Sequence, residues 1–281
     1  MGVSESEMDM PQQNVSPSGR REVMGGLAKG LEVLRTFSRA KPHMTLSEIA
    51  ARAGLPAATA RRCLNTLEEL GYVARNGRQF LLRPPVLEIG AVYLDSMGIQ
   101  TLTQTKLEEL ALATGGSSML AVLSGTGVVV AARASVRTQQ LPLEAHVGSR
   151  MAAHATALGK VLLAGLGPER LTAWFERAQL DRFTDRTITD RATLMQQVET
   201  ARREGYATAE EEVTPGAVAL AVPVRDAAGR VVAALNVSVH VREANATQLV
   251  ARHLAALRDA SLAVSAEAAR MPVIALSAQV S

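Results

Sequence analysis

Apolar positions recur every three or four residues from Leu27 to Leu70, the helical period. Two short β-prone runs follow, and from about Gln100 helical and strand-like runs intermingle. Leu27, Leu31, Leu34 and Phe37 predict a first helix, closed by Pro42, that roofs the segment behind it. Thr45–Leu70, TLSEIAARAGLPAATARRCLNTLEEL, predicts two short helices around a tight turn. Thr45 with Glu48 three residues on has capping-box spacing, and Leu46, Ile49, Ala50 and Ala53 form one apolar face. Gly54-Leu55 makes the turn, and Pro56 opens a second helix that runs to Leu70.

On that second helix Ala60, Leu64, Leu67 and Leu70 turn inward with Cys63 beside them. Ala58, Arg61, Arg62, Asn65 and Glu69 lie on the other side. A small residue at Ala50, a glycine four residues later and a small residue at Ala60 fit a helix-turn-helix, whose helices cross too closely for bulk. An ordinary helical hairpin is the plainer alternative. Gly71–Ala74 and Gln79–Leu82 then flank Arg75-Asn76-Gly77-Arg78, a hairpin signal that makes the motif winged. Arg75 and Arg78 are expected at the wing tip, and they and Thr59 on DNA phosphates. Arg61, Arg62 and Asn65, with Ala58 on the same face, are expected at base edges, since Arg reads guanine and Asn adenine.

Charge sharpens this picture. The chain of 281 residues has a net charge of only +3, yet residues 20–85 hold 12 Lys/Arg against 5 Asp/Glu. The basic excess sits on the helix-turn-helix segment, the electrostatic footprint of a double-stranded DNA partner. Length and an apolar content of 47% favour two domains with real cores. The expected division is a disordered tail over residues 1–22, a DNA-binding domain over 23–84, a linker helix over 85–99, an α+β domain over 100–270 and a tail over 271–281.

The linker pattern Leu87, Ala91 and Leu94 leaves an apolar side that pairs with a second subunit or packs on its own domain. A homodimer or homotetramer is expected, since winged helices commonly read symmetric sites. Beyond it, helices are predicted at Leu102–Thr114, Ala155–Ala164, Glu169–Ala178, Arg191–Glu204 and Ala246–Ala268. Strands are predicted at Ser118–Leu123, Val128–Arg133, Tyr206–Glu211, Ala217–Val224 and Val231–Val239, an α+β sensor with a central sheet. No run of about 18 apolar residues occurs and the N-terminus is polar and acidic, so a soluble, cytoplasmic protein without membrane contact is expected.

Several pieces in order carry a resemblance: LAKGLEVLRTF, MTLSEIAARAGLP, LEELGYV with its wing, GSRMAAHATALGKVLLA and EEVTPGAVALAVPVRDAAGRVVAALNVSVH. Over roughly residues 24–270 the chain resembles the IclR-type bacterial transcriptional regulators. GRQFLLRPPVLEIGAVYLDS and AALNVSVH look most like the branch that governs aromatic-acid breakdown through protocatechuate and the β-ketoadipate route. The resemblance implies a winged helix-turn-helix, a linker helix and a C-terminal α+β, GAF-like domain that binds a small carboxylate effector.

By that resemblance the effector pocket maps to Leu143, Met151, Ala157 and Leu158 on one side. Ala209, Ala217, Ala219, Asn236 and Ser238 form the other. His154-Ala-Thr-Ala-Leu-Gly159 is expected to begin a helix whose free N–H groups face an anion, with His154 and His240 bordering the pocket. Asn236 and Ser238, alternate residues of one strand, face the same side. The family's short-acid sensors often carry Cys where this chain has Ala219, Ser where it has Asn236 and an acid where it has Ala209. The lost volume, and an Asn with both donor and acceptor, point to an aromatic hydroxy-acid over glyoxylate or pyruvate. These alanines packing a sheet against helices is the plainer reading.

Other chemistry finds little support. Glu210-Glu211-Glu212 reads as a solvated charge run at a loop edge rather than a metal or acid/base cluster. The five histidines are scattered and the lone Cys63 reads as a core residue, so neither metal nor cofactor is expected. No phosphate loop, G-x-S-x-G elbow or paired catalytic acids occur, which makes an enzyme with a protein-binding helix-turn-helix the weaker class.

Overall fold

The computed structural model describes residues 23–38, 40–97, 99–136 and 145–269. The two expected tails and Leu143 lie outside these. The chain divides into two compact units, residues 1–88 and 89–281.

The first unit holds α1 (Gly25–Arg35), β1 (His43–Thr45), α2 (Leu46–Ala53), α3 (Ala57–Glu69), β2 (Val73–Asn76) and β3 (Gln79–Leu82). Thr45 caps α2: its side chain accepts the Glu48 N–H, and the Glu48 carboxylate takes the Thr45 N–H at 2.9 Å. Gly54 leaves the helix at φ 63°, in the left-handed region that favours glycine. Pro56 sits one residue before α3, as its N-cap. Val33, Met44, Ile49, Leu64, Leu67, Val73 and Phe80 form one buried cluster.

Three details differ from the sequence expectation. Leu27 and Leu31 are 62% and 43% exposed, because α1 packs through Val33, Leu34 and Phe37 at its C-terminal end. Leu70 is exposed too, since it caps α3 instead of continuing its inward stripe. The wing is a three-stranded antiparallel sheet in the order β1-β3-β2, with the unforeseen β1 pairing Thr45 to Gln79.

α4 (Val86–Met97) runs across the division between the units. Leu87, Ile89 and Val92 on it are exposed.

The second unit comprises α5 (Ile99–Thr114), β4 (Ser117–Ser124), β5 (Gly127–Ser135), β6 (Arg150–Ala152), α6 (Ala157–Ala164), α7 (Pro168–Arg177), α8 (Arg191–Glu204), β7 (Ala207–Glu210), β8 (Ala217–Arg225), β9 (Val231–His240) and α9 (Ala246–Ala268). Its antiparallel sheet runs β6-β5-β4-β9-β8-β7. The short edge strand β6 escaped the sequence pattern. Pro223 is tolerated inside β8 because β7 reaches only to the Ala207–Ala221 pair, leaving no neighbour there to miss its N–H.

Alternation gives the sheet two unlike faces. Leu120, Leu235, Val237, Val239, Val218, Leu220 and Val222 turn to α5 and α9. Met119, Ala121, Ala209, Ala219, Ala221 and Ala234 turn to α6, behind which α7 and α8 add Trp174, Phe175, Leu194 and Val198.

Thr45→Ala removes the cap acceptor of α2 and should lower the first unit's stability by ~1 kcal/mol. The cap's backbone N–H, followed by Lys41 and the Thr45 hydroxyl, holds the Glu48 carboxyl down to about 2. Its folded value is depressed, so its contribution is complete above the ordinary carboxyl range and fades as pH falls toward 2. Acid unfolding of the wild type between about pH 4.5 and 2 should therefore be steeper than that of Glu48→Gln, followed by circular dichroism.

Candidate functional site

In the first unit α3 presents Ala58, Arg61, Arg62 and Asn65 exposed along one side, with Thr59 half-buried at its edge. Ala50, Ala60 and Leu64 are buried beneath, where α2 and α3 touch. The wing turn is tighter than the sequence pattern implied. Asn76 pairs with Gln79, so the loop is only Gly77-Arg78, and Gly77 at φ 60° supplies the backbone a two-residue turn requires. Arg78 stands at the tip. Arg75 does not: it lies within β2, its Nε donates to the Gly77 carbonyl at 3.1 Å, and its guanidinium covers the Phe80 ring.

The second unit contains a pocket of about 400 Å³, mouth included, between α6 and the alanine-rich face of the sheet. Met151, Ala157, Leu158, Ala209, Ala217, Ala219, Asn236 and Ser238 line it, as the sequence mapping placed them, together with Met119, Thr156, Glu212 and Val213. The strand register explains the grouping: Ala219 pairs with Ala209 on one side and Ser238 on the other, and Ala221 with Asn236.

Gly159, without a Cβ, lets α6 seat directly on the segment that leads into it. One added there would fall 2.1 Å from the Ala153 carbonyl oxygen. The helix begins at Ala157, later than the run from His154 suggested, because Thr156 is its cap and accepts the Gly159 N–H at 3.0 Å. The N–H groups of Ala157 and Leu158 in the first turn remain for an anion.

His154 is not in this pocket. It is buried, its Nε2 lies 3.0 Å from the Asp181 carbonyl oxygen and its ring stacks on Phe183, so it secures the loop after α7. His240 lies outside as well, its Nδ1 accepting the Arg242 N–H. Asn236 is more constrained than its type suggested. Its Oδ1 accepts the Met119 N–H at 2.9 Å, so what it offers a ligand is the Nδ2 group, a donor.

Two residues were missed. Lys160 on α6 is 1% exposed, and its Nζ donates to Glu212 Oε1 at 2.6 Å, to Gln197 Oε1 and to the Thr208 carbonyl, both at 3.2 Å. Glu212 is therefore no solvated charge; it is 7% exposed and lines the pocket. Glu211 makes the difference: at φ 58° it turns the chain after β7, so Glu210 and Glu211 meet Arg186 outside while Glu212 goes in. Burial pushes the Lys160 ammonium down from its ordinary value, and Glu212 opposes the shift. Burial pushes the Glu212 carboxyl up, against Lys160 and the Glu210 N–H. One lysine inside the apolar run ALGKVLLA was the available signal. Among the described residues no three His, Cys, Asp or Glu side chains gather as a metal set.

A winged helix-turn-helix joined to an α+β unit with an internal pocket defines a ligand-responsive transcriptional regulator. Residues 26–77 match the IclR helix-turn-helix domain and residues 91–266 the bacterial transcriptional regulator IclR C-terminal domain, so the chain belongs to the IclR family. It is 34% identical over 244 residues to the Pca regulon regulatory protein of Pseudomonas putida, covering 87% of this chain and 84% of that one. It is also 34% identical over 242 residues to the p-hydroxybenzoate hydroxylase transcriptional activator of Acinetobacter baylyi, covering 85% and 89%. Among solved structures it resembles an IclR homolog from Microbacterium hydrocarbonoxydans complexed with 4-hydroxybenzoate, at a TM-score of 0.72 and 27% identity over 87% of this chain and 99% of that one. The aromatic-acid branch read from the sequence agrees with these relatives. No helix among the described residues is long and apolar enough to cross a membrane.

Lys160→Met leaves Glu212 buried without its counter-charge and should cost ~3–5 kcal/mol in urea unfolding. Lys160→Met/Glu212→Leu, which removes both charges, should recover most of that loss.

Proposed function

We propose that this regulator senses an aromatic hydroxy-acid of the 4-hydroxybenzoate or protocatechuate type and couples its binding to the grip of the winged helix on operator DNA. The pocket between α6 and the alanine face carries the reading. Its walls are mostly apolar, and Asn236, Ser238 and the first turn of α6 supply donors for a carboxylate. Ala209, Ala217 and Ala219 keep side-chain bulk off this wall. The named ligands and pathways of the relatives favour the same class. A short keto-acid is the rival effector, since the donors alone would hold one.

On DNA, Arg61, Arg62 and Asn65 with Ala58 are assigned to the major-groove edges of bases, and Thr59 and Arg78 to phosphates. Arg75 acts on the backbone through the wing it braces. The active species is a homodimer or homotetramer in the cytoplasm, and the exposed Leu87, Ile89 and Val92 of α4 are the surface that favours pairing. The protein acts as a regulator and not as an enzyme. Effector shifts the population between two arrangements of the subunits, which differ in the spacing of the DNA-binding units.

Titration calorimetry of the full chain with 4-hydroxybenzoate, protocatechuate, β-ketoadipate, glyoxylate and pyruvate, followed by a gel shift on its upstream DNA, tests the effector. A saturable aromatic acid that alters the shift is expected; binding of the keto-acids alone would discard the aromatic reading. Asn236→Asp keeps an acceptor for the Met119 N–H but replaces the donor with a negative charge. It should abolish acid binding while leaving DNA affinity unchanged; retained acid affinity would remove Asn236 from the site.

For DNA, Arg78→Ala should weaken binding to all sequences alike and flatten the salt dependence by ~1 in slope. Arg61→Ala should instead cost ~1–3 kcal/mol on the operator only. Equal losses on operator and random DNA for Arg61→Ala, or a loss confined to the operator for Arg78→Ala, would refute the assignment.

A further inference from the structure

The polar groups around the pocket are unevenly distributed. Asn236 has its carbonyl committed to the Met119 N–H, and Ala157 and Leu158 contribute N–H groups, so this wall chiefly donates. Glu212 is the exception. Its Oε1 is occupied by Lys160, but Oε2 is buried and makes no hydrogen bond. A buried acceptor left unpaired costs free energy that a bound donor recovers.

The carboxylate is held in that position from several sides. Thr187 Oγ1 donates to the Glu212 carbonyl and Thr184 Oγ1 to the Glu211 carbonyl, both at 2.6 Å. Arg186 ties Glu210 and Glu211 at 3.2 Å each, and the Glu211 side chain accepts the Gly216 N–H at 2.8 Å. Lys160 faces three acceptors at once, Glu212, Gln197 and the Thr208 carbonyl, an arrangement that suits an ammonium and so keeps its partner a carboxylate. Glu212 thus has little freedom to turn toward solvent.

We propose that Glu212 Oε2 is the hydroxyl-binding subsite of the pocket, accepting a hydrogen bond from an OH group that the ligand carries away from its carboxylate. This rests on the aromatic hydroxy-acid reading and gives it an orientation: the ligand's acid meets the donors of α6, Asn236 and Ser238, and its hydroxyl meets Glu212. A carboxylate directed at Glu212 is repelled. A ligand with no hydroxyl leaves Oε2 without a partner. The ion pair with Lys160 thereby becomes a selectivity device as well as a buried support.

Calorimetry with 4-hydroxybenzoate, 4-fluorobenzoate and benzoate on the full wild-type chain tests this, because the three differ little in size and chiefly in the donor. The hydroxylated acid should bind ~10–100-fold more tightly than the other two. Glu212→Gln turns an NH2 group into the pocket in place of Oε2, and Lys160→Met/Glu212→Leu removes the acceptor with its counter-charge. In whichever of these gives a cooperative melting curve, the preference should shrink to within ~3-fold, with benzoate bound at least as well as by the wild type. Equal wild-type affinities for the three acids, or a preference that survives in a folded variant, would overturn the subsite while leaving the aromatic effector in place. If none of the three binds and pyruvate or glyoxylate does, the aromatic reading falls first and the subsite with it.

Discussion

The absence of a Cβ at Gly159 fixes how α6 seats on the segment that leads into it. With a methyl group there, α6 could not approach the Ala153 backbone, and helix or segment would have to shift. The sheet face that α6 covers is lined by small residues, Ala121, Ala209, Ala219, Ala221 and Ala234. On the same helix Lys160 lies out of reach of water, where it requires a counter-charge, and Glu212 provides it. The alanine face, the buried ion pair and the pocket between them thus gather around one helix.

Much of this was legible in the chain. The capping box at Thr45, the left-handed Gly54 and the alternation of Asn236 with Ser238 are local rules, and the structure obeys them. α8 and α9 have the expected limits because Asp190 and Asn245 cap their starts and periodicity carries them on. What escaped depended on partners distant in sequence. β1 and β6 are three-residue edge strands that exist only by pairing with β3 and β5. Leu27 and Leu31 have helical spacing, but periodicity does not say which part of a helix meets a core.

The pocket residues show the same boundary. Eight of those expected from the family pattern do line it, since strand alternation and register place them together. His154 was drawn in by its neighbours in sequence, while its ring had a better partner in the loop at Asp181 and Phe183. Glu212 was discounted as one of three consecutive acids, a pattern that on an extended strand would be solvated. The positive φ at Glu211 breaks that pattern, and no residue type announces a left-handed glutamate.

The two faces of the central sheet divide the burdens of the unit. Leucines and valines fill the sheet face toward α5 and α9, whereas the strands contribute mainly alanines, of little volume, to the wall of the pocket. Exchanging one pocket alanine for a serine, cysteine or valine therefore changes what fits without touching the leucine-rich core opposite. In evolutionary terms, ligand preference can drift on one side of the sheet while the fold is conserved on the other. On the proposed function, such a scaffold could be recruited to a new metabolite by a few substitutions on the alanine side.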